Sequence, residues 1–355
     1  MSQVATAVRT APLTPPGQRR EKRSAFSDHR RVQLAIVAVV ISSSWYVPWL
    51  LWHADYAHPL LSVPFVVDFL YLAIQVHVSA FNNWQWTAPP VAEVAPGPEP
   101  VVAVIVPTCG EAPDMVRRTL VSVLEQDWPN SRLIIVVSDD AANYDMAVMV
   151  TLVKRYYRAA TIHYHRPPAR GTADRRGDAK AGNLNSVLDL LDKEYPEIRY
   201  IETRDADDEV AHPSFLRRTL APLLETGNVA FVQTIKEARV SPGDPFNNQE
   251  QLFYRGVMRG RHAANAVFPC GSGVVWRRRA LDDIGGFPLW NLVEDLQSGV
   301  TAAVAQALAG TQPASELVVA PSDSGAVRYL RQVTCAHEEL AVALTLHLQC
   351  YHLIR

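Results

Sequence analysis

Two carboxylates, Asp205 and Asp207, stand two residues apart in the stretch YIETRDADD, Tyr200 to Asp208. Tyr200, Ile201 and Thr203 have the composition of the end of a buried strand, and the chain leaves it into Asp205-Ala206-Asp207 with Asp208 and Glu209 behind. Four acids in five residues repel one another. At a strand's end both carboxylates of the pair approach one point, and a divalent cation turns that repulsion into binding energy. Hard oxygen ligands of this kind suit Mg2+ or Mn2+ that keeps waters and also holds a diphosphate. An isolated D-x-D is more often a solvated acidic turn, so the surroundings have to decide.

Those surroundings read as alternating strands and helices. VVAVIVP (Val101 to Pro107) is a continuous apolar run, the sign of a strand buried on both faces, and a helical pattern follows from Pro113 to Gln126. LIIVVSDD (Leu133 to Asp140) repeats the design and again ends in acids. Helices near Asp145 to Arg158, Lys180 to Lys193 and Pro213 to Leu224 alternate with strands near Ile162 to His165, before Asp205, and at Val229 to Gln233. This predicts an α/β domain with a mainly parallel, Rossmann-like sheet covered on both faces, its ligands at the carboxyl ends of the strands. Both acid clusters fall at such ends.

The 355 residues, 48% hydrophobic, are enough for one large domain or two smaller ones, and they exclude disorder of the whole. With 34 basic against 36 acidic residues there is no global field that would draw the chain to nucleic acid, and Arg277-Arg278-Arg279 lacks the interleaved aromatics of a nucleic-acid patch. Cys109, Cys270, Cys335 and Cys350 show no zinc or disulfide spacing and fit reduced thiols in a cytosol. Residues 1–31 carry seven basic residues among Pro, Thr and Ser and read as a disordered cytoplasmic tail. Residues 32–84 hold two predicted transmembrane helices. Val32 to Trp52 has no charge and the length needed to cross ~30 Å of hydrocarbon, whereas Leu60 to Phe81 contains Asp68, Gln75 and His77. The basic tail places the N-terminus in the cytoplasm, so two spans return the chain there, giving a multi-pass protein of the cell (inner) membrane. Residues 85–100, rich in proline, read as a semi-extended linker, and the soluble domain is expected over 101–300.

Taken in order, VPTCGE (Val106 to Glu111), VVSDD (Val136 to Asp140), AKAGNLN (Ala179 to Asn185), RDADD (Arg204 to Asp208), QEQLFYR (Gln249 to Arg255), PCGSGVVWRRRAL (Pro269 to Leu281), IGGF (Ile284 to Phe287) and LVEDL (Leu292 to Leu296) resemble the processive family-2 glycosyltransferases typified by bacterial cellulose synthase catalytic subunits. The resemblance spans roughly residues 100–300. It implies a GT-A type fold, a nucleotide-sugar donor such as a UDP-hexose, Mg2+ or Mn2+, and transfer with inversion to a glycan or other hydroxyl acceptor. It places Asp139 and Asp140 at the nucleoside, with Thr108 and Glu111 also on the donor side and Ala141 where a glycine is usual. Asp205 and Asp207 match the metal and diphosphate ligands. Lys180 matches a lysine near the donor, with Asp178 where a histidine often stands. Asp295 in Val293-Glu294-Asp295 matches the general base, with valine for threonine. Cys270, Gly271 and Ser272, with Glu294, match the acceptor end of the site.

The chemistry asks for these residue types. A departing nucleoside diphosphate leaves negative charge on phosphate, which a cation on Asp205 and Asp207, helped by Lys180, stabilises. An acceptor hydroxyl needs a base such as Asp295. Each residue also has a plainer reading: Asp139 and Asp140 as a strand end or helix cap, Lys180 as a helix-start lysine, Glu294 and Asp295 as a solvated helix start, Cys270 as a small buried apolar residue.

Past Val300 the resemblance implies a Gln-x-x-Arg-Trp motif and further membrane spans. Residues 301–355 instead carry Arg331-Gln332-Val333 and a final apolar stretch, Ala341 to Ile354, of about 14 residues, short of a span. A truncation or frame shift near Val300 is the expectation there. A second function class follows from it: a non-catalytic nucleotide-sugar-binding fragment, or an assembly partner of another membrane protein.

Overall fold

The computed structural model describes residues 25–85, 92–225, 229–238, 253–263, 267–289, 294–295, 297–299, 301–302 and 327–328. The chain divides at His77 into two units. The tail before Ala25, the QEQ of the QEQLFYR stretch and nearly all of 301–355, including Arg331-Gln332-Val333 and the final apolar stretch, lie outside the described residues.

The first unit is built on two helices, α1 (Ala25–His53) and α2 (Pro59–Asn82), the second of which runs a few residues past the division. His29–His53 and Pro59–Asn82 are long and apolar enough to cross a membrane, with mean hydropathies of 1.9 and 1.8 over their most apolar windows. At 1.5 Å per residue each reaches about 36 Å, more than the ~30 Å of a hydrocarbon core. α1 starts at Ala25, inside the stretch expected to be a disordered tail. Ala25 to Arg31 contains no glycine or proline, so a helix nucleated in the apolar run propagates back through it at little cost. Asp68, near the middle of α2, is exposed.

The second unit is a seven-stranded sheet in the order β3-β2-β1-β4-β6-β5-β7. Its strands are β1 (Val102–Thr108), β2 (Leu133–Asp139), β3 (Thr161–His165), β4 (Tyr200–Thr203), β5 (Phe231–Thr234), β6 (Val274–Arg277) and β7 (Val327–Arg328). The helices are α3 (Pro113–Leu124), α4 (Tyr144–Tyr156), α5 (Ala179–Glu194), α6 (Phe215–Glu225), α7 (Met258–Ala263) and α8 (Arg278–Asp283). β1 explains the architecture. Val102, Val104 and Val106 join a core with Val116 and Leu120 of α3, Met146 and Val150 of α4, and Leu216 and Leu220 of α6. The alternate residues Ala103 and Ile105 join a second core with Leu184, Val187 and Leu191 of α5 and Leu281 of α8. A strand covered on both faces must be apolar at every position, which is why VVAVIV shows no alternation. Each fully buried side chain of this kind contributes roughly 1.5–3 kcal/mol.

β3, β2, β1 and β4 are parallel neighbours. β6 then enters antiparallel between β4 and β5, with Val274 opposite both Thr203 and Gln233. The strand–helix alternation does not anticipate β6, because VVWR is short and its position depends on partners far along the chain. Its insertion leaves β4 and β5 pointing the same way. The carboxyl ends of β1, β2, β4 and β5 and the amino end of β6 therefore share one edge of the sheet.

Residues 92–100, in the stretch expected to be a linker, are held against α6. Val94 N–H donates to Arg217 O (2.9 Å), Arg217 returns a bond to Val94 O (3.1 Å), and its guanidinium also pairs with Glu99 and Asp127.

Candidate active site

Lys180, in the first turn of α5, reaches the end of β4. Its Nζ donates to Asp205 Oδ1 (2.6 Å) and to Gly271 O (3.2 Å), and Glu294 Oε1 lies 3.3 Å away. Burial works to lower the Lys180 pKa, but the Asp205 and Glu294 carboxylates outweigh it and hold the pKa above the ordinary lysine value. The other Asp205 oxygen faces Lys236 Nζ at 3.3 Å, and Lys236 also pairs with Asp208 Oδ2 (3.1 Å). Burial raises the Asp208 pKa less than Lys236, Ser272 and Arg204 lower it, so Asp208 stays ionised below the usual carboxylate range. Ser272 Oγ donates to Asp208 Oδ2 and accepts the Asp205 N–H (2.8 Å), tying the acid cluster to the loop before β6.

The AKAGNLN stretch fixes Lys180 through its small and amide residues. A Cβ on Gly182 would stand 2.0 Å from Gly177 O and 2.7 Å from Arg175 Nε, so only glycine lets the loop pass this close to α5. Asn183 Nδ2 donates to Ser138 O (2.9 Å), at the end of β2. Asn185 Nδ2 donates to Arg176 O and Phe287 O, and its Oδ1 accepts the Phe287 N–H, which locks the IGGF turn onto α5. Ala179 sits at φ +47, a left-handed conformation costly for a residue with a Cβ, directly before Lys180.

At the end of β2 the two aspartates differ. The Asp139 carboxylate is buried and accepts from Thr108 Oγ1 (3.2 Å), the N–H groups of Ala141 (3.0 Å) and Asn143 (2.7 Å), and Tyr164 OH (2.9 Å). These are all contacts within the chain, and they hold the turn that enters α4. Asp140 faces the β3–α5 loop. Arg175 grips both its oxygens (2.6 and 2.9 Å) and Arg170 adds a third bond (3.0 Å). Burial raises the Asp140 pKa, but the two guanidiniums outweigh it and hold it below the usual range. Glu111 accepts the N–H of Cys109 in its own turn after β1 (2.5 Å) and touches neither aspartate.

The opposite wall is the loop Cys270 to Gly273. Gln233 of β5 accepts the Cys270 N–H (2.6 Å) and donates to Ser272 O (3.1 Å), pinning the loop. Gly271 has φ +74, and a Cβ there would lie 3.1 Å from Lys180 Nζ and 3.2 Å from Asp295 Oδ2. That point therefore lies close to both the lysine at the D-x-D pair and the carboxylate of the VED stretch. Burial, with Asp295 beside it, pushes the Cys270 thiol up to about 12, so it is an inert protonated group at neutral pH.

Among the described residues no three His, Cys, Asp or Glu side chains converge as a metal-binding group. The donor types nevertheless fit a hard cation. Asp207 is exposed with no ion-pair partner among the described residues, and Asp205 is half-buried at the same strand end. Two carboxylates suit Mg2+ or Mn2+ completing its shell with water and phosphate oxygens.

The structure thus brings Lys180, Asp205, Gly271, Ser272, Glu294 and Asp295 together, and sets Thr108, Asp139 and Asp140 at the neighbouring strand ends. Sequence reasoning missed Lys236, Arg170 and Arg175. Lys236 lies two residues past β5, so the strand-end rule already applied to β2 and β4 would have found it. The arginines lie in a loop of no periodicity, where the only signal is its density of charge.

Comparison with known proteins agrees with this architecture. The family described as "Glycosyltransferase like family 2" matches residues 98–314. The cellulose synthase catalytic subunit [UDP-forming] of Pseudomonas fluorescens (strain SBW25) is 32% identical over 244 residues, 66% of this chain and 30% of that protein. The cellulose synthase 1 catalytic subunit [UDP-forming] of Komagataeibacter xylinus is 26% identical over 300 residues, 80% of this chain and 36% of that protein. The chain spans about a third of the length of these curated relatives. Among solved structures, the mannosyltransferase PcManGT from Pyrobaculum calidifontis, in complex with GDP-Man and Mn2+, overlaps with a TM-score of 0.47 at 21% identity, over 77% of this chain and 64% of that one. With its family profile spanning the whole strand-end constellation, and with the mixed, mostly parallel sheet of the GT-A-like fold beneath it, the chain belongs to glycosyltransferase family 2 and is related to the cellulose synthases.

Proposed function

We propose that this chain is a membrane-anchored, inverting glycosyltransferase that moves a hexose from a UDP-sugar to a hydroxyl of a polysaccharide or other glycan. The observation that carries the reading is that the Lys180 ammonium and the Asp295 carboxylate meet at Gly271, 3.1 and 3.2 Å from the position a Cβ would take there. A donor phosphate and an acceptor hydroxyl need groups of these two kinds, facing each other across the reacting carbon. The UDP assignment is supported by the relatives, which are described as UDP-forming.

In this mechanism Asp295 takes the proton of the acceptor hydroxyl as its oxygen attacks the anomeric carbon, on the face opposite the leaving group. The bond from that carbon to the phosphate oxygen breaks, and UDP departs with the electron pair, its new charge met by Lys180. Asp205 and Asp207 would hold Mg2+ or Mn2+, which when bound supplies positive charge against the diphosphate oxygens. Asp140 with its arginines, Thr108 and Glu111 form the nucleoside end, where Asp139 holds the turn. Cys270, Gly271, Ser272 and Glu294 form the acceptor end. Helices α1 and α2 anchor the domain in the cell membrane with the site in the cytoplasm, where a partner membrane protein would complete the acceptor path.

The test is UDP release from a panel of UDP-sugars by detergent-purified protein, with and without Mn2+. Asp295→Asn should leave UDP-sugar affinity within about twofold while slowing transfer ~100-fold or more. Asp205→Asn should damage both. Near-full transfer by Asp295→Asn would overturn the mechanism at its central step.

A further inference from the structure

Lys236 is not part of the reading above, yet it occupies the diphosphate end of the site. It lies two residues past the carboxyl end of β5, and because β6 is inserted antiparallel, that end stands beside the end of β4. Its Nζ bridges Asp205 Oδ2 (3.3 Å) and Asp208 Oδ2 (3.1 Å). Lys180 holds the other Asp205 oxygen, Oδ1, at 2.6 Å. Both oxygens of the first D-x-D carboxylate are thus already neutralised by ammonium groups of this chain.

The two lysines are held differently. Lys180 has three partners from three segments, Asp205, Gly271 O and Glu294, and is fixed among them. Among the described residues the ion-pair partners of Lys236 are two carboxylates, both beyond 3 Å. One of these, Asp208, also accepts the Ser272 hydroxyl on the same oxygen, Oδ2, and so keeps a partner without the lysine. An ammonium is a compact point charge on a four-carbon stem, able to turn from a carboxylate to a nearby phosphate oxygen without moving the backbone. A divalent ion approaching Asp205 meets an ammonium on either oxygen, and the longer contact, to Lys236, is the weaker of the two.

We propose that Lys236 is a resident counter-cation of the donor site: it competes with the divalent ion for Asp205 and, by turning to the diphosphate, gives the site affinity for a nucleoside diphosphate when no metal is bound. This rests on the donor-binding reading of the D-x-D pair. It adds that metal and Lys236 are alternative occupants of one position, so that loss of the lysine strengthens metal binding and weakens metal-free nucleotide binding.

Full-length protein in detergent carries the test, with Mn2+ binding followed by electron paramagnetic resonance of the free ion and UDP binding by calorimetry. For Lys236→Gln we expect ligand-free Mn2+ affinity to rise at least about threefold, UDP affinity in EDTA to fall at least about fivefold, and UDP affinity at saturating Mn2+ to change less than about twofold. Lys236→Arg, which keeps the charge, should retain UDP affinity in EDTA. Unaltered Mn2+ affinity in Lys236→Gln, or unaltered metal-free UDP affinity, overturns the proposal while leaving the donor reading intact. Failure of the wild-type protein to bind UDP even with saturating Mn2+ overturns the donor reading and this proposal with it.

Discussion

Asp140→Asn should destabilise the whole sheet corner at the ends of β2 and β3, beyond any effect on nucleotide binding. The side chains of Asp140 and Arg175 are 4% and 1% exposed, and the carboxylate takes guanidinium bonds of 2.6 and 2.9 Å, with Arg170 adding one of 3.0 Å. Asparagine keeps the shape, but it removes the charge and turns an N–H2 group toward the guanidinium. Arg175 keeps its bonds to the carbonyls of Pro168, Gly177 and Ala179 but loses its counter-charge, and breaking a buried ion pair in this way costs about 3–5 kcal/mol. For a domain near 200 residues each kcal/mol corresponds to roughly 2–4 °C, so the melting temperature should fall by about 6–20 °C. Trp128 and Trp276 are buried and report unfolding by fluorescence. Arg175→Met should cost a similar amount, and the double variant should cost much less than the two together, with a coupling above about 1.5 kcal/mol. Arg170→Met, at a side chain 55% exposed, should cost under about 1 kcal/mol. The folded-state pKa of Asp140 is depressed, its own burial being outweighed by the arginines. Its contribution is therefore complete above the unfolded carboxylate value of about 3.9 and is lost as pH falls through the folded value, so the gap between wild type and Asp140→Asn should close in acid. Additive effects in the cycle, or a fall of less than about 2 °C, would refute the reasoning.

Gly271→Ala places a methyl group 3.1 Å from Lys180 Nζ and 3.2 Å from Asp295 Oδ2, on a backbone at φ +74. Both neighbours are side-chain ends that can yield by a few tenths of an ångström, so the protein should fold, while transfer falls about 10- to 100-fold and UDP affinity moves less than about threefold. Steady-state rates beside UDP titrations check this, and an equal loss of both would place the defect on the donor side. Asn185→Ala removes bonds to Arg176 O (3.1 Å), Phe287 O (2.9 Å) and Phe287 N (2.9 Å), leaving buried backbone groups without partners. A loss of about 2–5 kcal/mol in chemical unfolding is expected, and one below about 1 kcal/mol would show that the IGGF turn is held by its other contacts.

The central strands were legible because burial on both faces writes itself as unbroken apolar runs: Val102 to Val106 and Leu133 to Val137 are apolar at every position. β6 left no comparable trace. Its last residue, Arg277, is polar, and its place is set by pairing with Thr203 and Gln233 rather than by its own composition. The strand-end rule led to Asp140 and Asp205, and the family resemblance of the AKAGNLN and VED stretches to Lys180 and Asp295. The partners of Asp140 were hidden. A buried bidentate arginine has no local pattern, and among the arginines of the β3–α5 loop only three-dimensional packing selects Arg175 for the interior. Asp139 shows the limit of reading types alone, since it has the same residue type and strand end as Asp140 but spends its oxygens on Thr108, Ala141, Asn143 and Tyr164.

The antiparallel entry of β6 also governs how this protein can be born. During synthesis β1 to β4 emerge first and can pair in parallel, but the outer edge of β4 waits for a strand about 70 residues downstream, which takes on the order of 4–14 s at ribosomal rates. Through that interval the nascent chain presents Tyr200 to Thr203, buried in the finished fold, as an open strand edge. The same pairing that brings Lys236 and the Gly271 loop to the acid cluster therefore makes the site one of the last parts to form. Substitutions that slow β6, such as a proline at Val275, which pairs with both Glu202 and Val232, would show first as lost yield at the membrane rather than as altered chemistry.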